Sequence, residues 1–130
     1  MEQNNLTALQ LGEAIKKGDV SIPEVTRAAL DAAKAKNGEN NAFITLTEEE
    51  ALRRAETLQK GVKEAVSPLY GVPMAYKDNI CTKGVKTTCA SKILGDFQPP
   101  YDATLVERLI AAGAVSIGKL NMDEFAMGST

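Results

Sequence analysis

The sequence contains no histidine. Neither a Ser-His-Asp nor a Cys-His arrangement can be assembled from it, so any proton transfer by these residues falls to lysine, a carboxylate or tyrosine. Cysteine is nearly absent as well. Cys81 and Cys89 are too few for a disulfide scaffold, and without histidine they make a poor start on a zinc site, so reduced thiols are expected. Charge of one sign is missing too: 15 basic against 17 acidic residues leave a net charge of -2. That balance supplies no electrostatic footprint for gripping a phosphate backbone and disfavours direct nucleic-acid binding. No apolar run approaches the length of a membrane span, and Met1 to Asn5 lacks the basic start and apolar stretch of a signal peptide. A cytoplasmic protein with no membrane contact is the default expectation.

What the chain does have is the balance of a globular protein, 44% apolar and 25% charged, in a length that buries one modest core. The first part reads as helices with clear punctuation. Thr7 and Gln10 have capping-box spacing, and Lys16-Lys17-Gly18 closes the helix they open. Ser21-Ile22-Pro23-Glu24 repeats the start signal, and that helix is expected to run to about Lys36 and stop at Asn37-Gly38. Ala42 to Thr45 fits a short strand; Thr47 with Glu50 opens a third helix whose expected cap is Gly61.

The character then changes. Tyr70-Gly71-Val72-Pro73-Met74-Ala75-Tyr76 is apolar on both faces, as in a strand covered above and below. Ile80 to Tyr101 is too long for an idle connection and is expected to be a working loop. Asp102 is placed to cap a helix carrying Leu105, Val106, Leu109 and Ile110 on one face, with Gly113 as its stop. Ala114 to Gly118 is a second apolar strand. Strand, helix, strand in that order argues for two parallel strands joined by a right-handed crossover, their carboxyl ends at one edge where open α/β sheets bind ligands. The fold class is therefore α/β: amino-terminal helices over residues 1–65, then the first strands of a mixed, largely parallel sheet with covering helices over 66–130. Such strands need neighbours on both faces. Asn121 to Thr130 begins an element without finishing it, as in a segment of a longer protein.

Lys77 and Lys119 both fall at that edge. A lysine at the end of a buried strand is partly desolvated, which disfavours its charged form and suits it to act as a base. The commoner role for Lys77 is to reach solvent or pair with Asp78. Asp78 and Asn79 are ordinary turn residues, yet both can hydrogen-bond the lysine or fix its loop. Lys119 is expected in a surface ion pair with Asp123 or Glu124. Met127 and Ser129 are candidates for lining a pocket, against the commoner roles of packing and turn.

Gly71-Val72-Pro73-Met74-Ala75-Tyr76-Lys77-Asp78-Asn79-Ile80 resembles the lysine motif of the amidase-signature family. The likeness continues through Thr82-Lys83-Gly84, Thr87 to Ser91, Tyr101 to Thr104, Ala112-Gly113-Ala114 and Gly118 to Phe125. Within that family, Cys81 to Gly84 and Asn121 to Ser129 are most similar to the A subunits of tRNA-dependent amidotransferases. The resemblance covers the opening part of a family domain several times longer. It implies a Ser-cisSer-Lys triad in which Lys77 is the lysine. Both serines belong to a Gly/Ser-rich segment that does not occur before Thr130, so Ser91, Ser116 and Ser129 do not take their places. It further implies hydrolysis of glutamine, with the ammonia passed to a partner, in a heterotrimer with B and C subunits. tRNA, ATP and Mg would belong to the partner, and no cofactor to this chain. Two alternatives stand beside it: a stand-alone amidase of the same family, and a small domain binding an anion at the Lys77 and Lys119 edge.

Overall fold

The computed structural model describes residues 5–128. Ser129 lies outside the described residues. Helix α1 (Ala8–Lys17) starts from a complete capping box: the Thr7 hydroxyl accepts from Gln10 N, and the Gln10 side chain accepts from Thr7 N. Helix α2 (Ile22–Asn40) starts the same way at Ser21 and Glu24. It continues past the expected stop at Asn37-Gly38. Asn37 faces the start of the next strand, giving its Nδ2 to Phe43 O and receiving Phe43 N. Those bonds offset the poor helix propensity of Asn and Gly, and Asn41 closes the helix in the left-handed conformation.

Strand β1 (Phe43–Leu46) runs directly into helix α3 (Glu48–Gln59). Thr47 precedes that helix without the expected side-chain cap. Its backbone N donates to Ile117 O and its hydroxyl to Ser116 O, so Thr47 prolongs the sheet ladder instead of capping a helix. Helix α3 ends at Gln59 with Lys60 as its cap, one residue before the expected glycine. Strand β2 (Pro73–Lys77), helix α4 (Thr104–Ala111) and strand β3 (Val115–Leu120) follow. Asp102 does not cap α4; Ala103 is the capping position, and the Asp102 carboxylate accepts from Lys83 N at 2.7 Å. Gly113, beyond the helix end, takes a positive φ of 85°, a region costly for residues bearing a Cβ.

The sheet has the order β1-β3-β2, with β3 parallel to β2 and antiparallel to β1. It is mixed, as the sequence implies, and β2 lies at its edge. Gly118 permits the β1–β3 approach, since a Cβ there would lie 2.2 Å from Thr45 O. The core sits between the helices and one sheet face, where Leu11, Ile15, Ile22, Val25, Leu30, Ala51, Ala55, Val72, Val115 and Ile117 are buried together. Among the described residues β2 is not covered on both faces: Pro73, Met74 and Ala75 are half-buried and Lys77 is exposed. On α4 only Val106 is buried, while Leu105 and Ile110 of its apolar face remain exposed. Among the described residues, no helix is long and apolar enough to cross a membrane.

Candidate active site

Pairing in parallel register sets Lys77 opposite Leu120 and Tyr76 opposite Lys119, so both lysines stand at the carboxyl end of the sheet as the sequence implies. Lys77 takes the commoner of its expected roles and reaches solvent, whereas Lys119 departs from the surface ion pair expected of it. Lys77 is exposed, because β2 is an edge strand and nothing among the described residues covers its end. Lys119 is completely buried and makes no surface pair with Asp123 or Glu124. Its Nζ donates to Ile80 O and to Thr87 Oγ1, each at 2.8 Å, and stands 3.8 Å from Asp78 Oδ1. Burial pushes the Lys119 ammonium below the ordinary lysine range, while the Asp78 carboxylate and, more weakly, the Cys81 and Cys89 thiols act in the opposite direction. With its donors committed inside the protein, Lys119 is not offered to an exogenous anion, and a two-lysine anion grip at this edge does not form.

Asp78 is likewise buried to 0%. Its Oδ2 accepts from Thr88 N at 3.1 Å, from the Thr88 hydroxyl in a short bond, and from Ala90 N at 3.4 Å. Its backbone is tied on both sides, N to Leu120 O and O from Cys89 N, each at 3.0 Å. Asp78 therefore pairs with Lys119 and not with Lys77. Asn79 is exposed in the turn that Ile80 N closes onto Lys77 O at 3.0 Å, the ordinary turn role.

The segment from Ile80 to Tyr101 folds back on itself through Gly84 N to Pro99 O and Thr87 N to Phe97 O. It lays three buried hydroxyl residues, Thr87, Thr88 and Ser91, over the strand ends. Ser91 donates to Glu124 at 2.6 Å, and Phe125 N donates to Cys89 O at 3.0 Å. Cys89, Ala90, Phe125 and Ala126 all have positive φ, between 51° and 57°, at a cost of roughly 1–2 kcal/mol each. Strain of this kind persists where surrounding bonds over-determine the backbone, and it clusters at functional sites. Met127 is exposed. A cleft of about 760 Å³ lies between the start of α3 and the 82–86 segment and has Tyr76, but not Lys77, in its wall. Among the described residues no group of three or more His, Cys, Asp or Glu is arranged to hold a metal ion.

Sequence reasoning placed Lys77 at this edge but missed the buried network beside it. One signal was there: Lys119 ends an apolar strand parallel to the one that Asp78 follows, and a lysine buried there needs a carboxylate at the same edge.

Comparison with known proteins gives this geometry its context. The chain is 53% identical over its whole length to the A subunit of glutamyl-tRNA(Gln) amidotransferase from Lachnoclostridium phytofermentans, and 50% identical to that from Moorella thermoacetica. It spans 27% of the length of each. Among solved structures, native peptide amidase from Stenotrophomonas maltophilia superposes with a TM-score of 0.86 at 31% identity, over 93% of this chain and 26% of that one. An inhibitor-bound complex described as vestigial, and as revealing the origins of an s-triazine catabolic enzyme, gives 0.88 at 39% identity, over 96% and 28%. The Amidase family model matches residues 24–130. The edge that carries Lys77 thus belongs to an α/β amidase-signature fold, and the chain is a member of the amidase family.

Proposed function

We propose that residues 1–130 form the amino-terminal portion of one catalytic domain and that Lys77 is the general base of its Ser-cisSer-Lys site. The observation that carries this is the placement of Lys77: a free amine, exposed at the carboxyl end of β2, on a backbone fixed by the buried Asp78 immediately after it. A serine hydroxyl is a poor nucleophile until a base removes its proton, and an unprotonated amine performs that task without histidine. In this scheme one serine attacks the side-chain carbonyl of glutamine, and its proton passes through the second serine to Lys77. The proton then returns to the departing ammonia, and water hydrolyses the acyl-enzyme to glutamate. Both serines are supplied by sequence corresponding to the relatives' remaining length, which also covers Lys77 and lowers its exposure.

The likeness to the amidotransferase A subunits supports glutamine as the substrate and a cytoplasmic assembly with B and C subunits, where the partner holds ATP, Mg and tRNA. The 130 residues alone are inert in this account, since a base without its nucleophile hydrolyses nothing. The likeness to peptide amidase favours a second reading, a stand-alone amidase acting on another amide. A polypeptide carrying this segment and running the length of the relatives distinguishes them. The expected result is glutamine hydrolysis that responds to the partner subunits. Robust turnover of unrelated amides with no response to them establishes the stand-alone enzyme, and no amide hydrolysis at all rejects both.

A further inference from the structure

The Lys77 side chain takes no part in holding its own end of the sheet, where the Lys77 backbone pairs with Leu120 and accepts from Ile80 N. The buried side-chain ties beside it gather instead on the next residue, Asp78, and on Lys119 of the neighbouring strand. Register sets Lys119 with Tyr76 and Lys77 with Leu120, so alternation turns the Lys119 and Lys77 side chains to opposite faces. We propose that the Lys119–Asp78 pair is a positioning element for Lys77, a buried cross-link that fixes the Lys77–Ile80 turn from behind and so holds the base in one place.

Three pieces of chain meet in this cross-link. The Lys119 ammonium has three donor hydrogens; two bonds go to Ile80 O, the end of the turn that begins at Lys77, and to Thr87 Oγ1 in the overlying loop. The carboxylate of Asp78 grips the same loop at Thr88 and Ala90, and its backbone joins β3 at Leu120. The turn cannot shift without breaking bonds to both β3 and the loop.

Stability alone does not account for the pair. Two charges fully out of water are no more stabilising than apolar residues of the same volume, and here the carboxylate is incompletely satisfied, since the buried Asp78 Oδ1 has no hydrogen-bond partner. What a charged, directional network supplies and an apolar plug does not is a single geometry. The left-handed backbone at Cys89 and Ala90, held by bonds to Asp78 O and Oδ2, shows the loop constrained to a costly conformation by these same contacts. A base must lie within hydrogen-bond reach of its proton donor, and small displacements cost rate steeply.

The inference rests on Lys77 being the base, and the test separates the two claims. Glutamine hydrolysis is measured in the full-length polypeptide with its partners for Lys119→Met, for the double variant Asp78→Asn/Lys119→Met, which leaves no unpaired charge, and for Thr87→Val, which removes one acceptor and no charge. Circular dichroism confirms the fold of each. The folded variants of the pair are expected to lose roughly 10- to 100-fold in kcat with KM nearly unchanged, and Thr87→Val a smaller part of the same loss. In a Lys77→Met background, Lys119→Met is expected to lower the residual rate no further, because its effect passes through Lys77. If Lys77→Met abolishes turnover while the folded double variant and Thr87→Val keep the parental kcat, the positioning role is wrong and the base stands. The same conclusion follows if Lys119→Met lowers the residual rate of Lys77→Met by its usual factor. If Lys77→Met keeps the parental rate, Lys77 is not the base, and the positioning claim falls with it.

Discussion

Between the helices and the sheet, Leu11, Ile15, Ile22, Val25 and Leu30 bury side chains that need no partner. At the carboxyl ends of β2 and β3 the buried groups are Asp78, Thr87, Thr88, Ser91 and Lys119, most of which must each find a donor or an acceptor. The two regions are held by different physics. Apolar burial is non-directional and adapts to small changes of shape. A buried charge network exists in one arrangement only, and losing a single member strands the others. The molecule places the adaptable material between helices and sheet and the directional material beside Lys77, the proposed base.

If that contrast is right, single substitutions separate the regions by size and by pattern. Lys119→Met leaves the Asp78 carboxylate buried without its counter-charge and is expected to destabilise the protein by about 3–5 kcal/mol in urea denaturation. A loss below about 1 kcal/mol would make the pair no different from an exposed one and erase the contrast. Leu30→Ala, at a position 1% exposed, is expected to cost about 3 kcal/mol through lost burial and the cavity left behind. Glutamine hydrolysis by the full-length polypeptide should survive that change once the protein is folded; a fall in kcat would show that the helical core also positions the site. Ser21→Ala removes the hydroxyl that receives Glu24 N and is expected to cost about 1 kcal/mol, read as a lower denaturation midpoint.

The smallest expected effect is one of pH. The Ser21 hydroxyl and backbone N hold the Glu24 carboxyl below the ordinary value of 4.5. Its folded pKa is therefore lower than its unfolded one, so the contribution is fully present above 4.5 and is lost as pH falls through the folded value. Melting temperature followed through the acid range should drop less steeply in Glu24→Gln than in the parent. Identical slopes would remove Glu24 from the account of α2.

What could be read from the sequence divides along the same line. The caps at Thr7–Gln10 and Ser21–Glu24 were legible because a capping box is a local rule, fully contained in four residues. The parallel pairing of β2 and β3 was legible because strand, helix, strand in that spacing leaves few topologies. The end of α2 was not, since its extension through Gly38 depends on Asn37 meeting Phe43. The capping roles expected of Thr47 and Asp102 failed for the same reason: each side chain is taken by a partner far along the chain, Ser116 O and Lys83 N. The depth of Lys119 was misjudged most. Alternation along a strand tells which face a residue occupies but not what covers it, and the cover over Lys119 comes from Ile80 and Thr87, in a loop with no periodicity of its own.

The central claim is that the amine on β2 removes the proton from the nucleophile. The direct measurement is the rate of acyl-enzyme formation from glutamine in a single turnover of the full-length polypeptide, with and without Lys77→Met. The account predicts a fall of roughly 100- to 10,000-fold, the range for loss of a general base, with the fold intact. An unchanged acylation rate in the folded variant would contradict it.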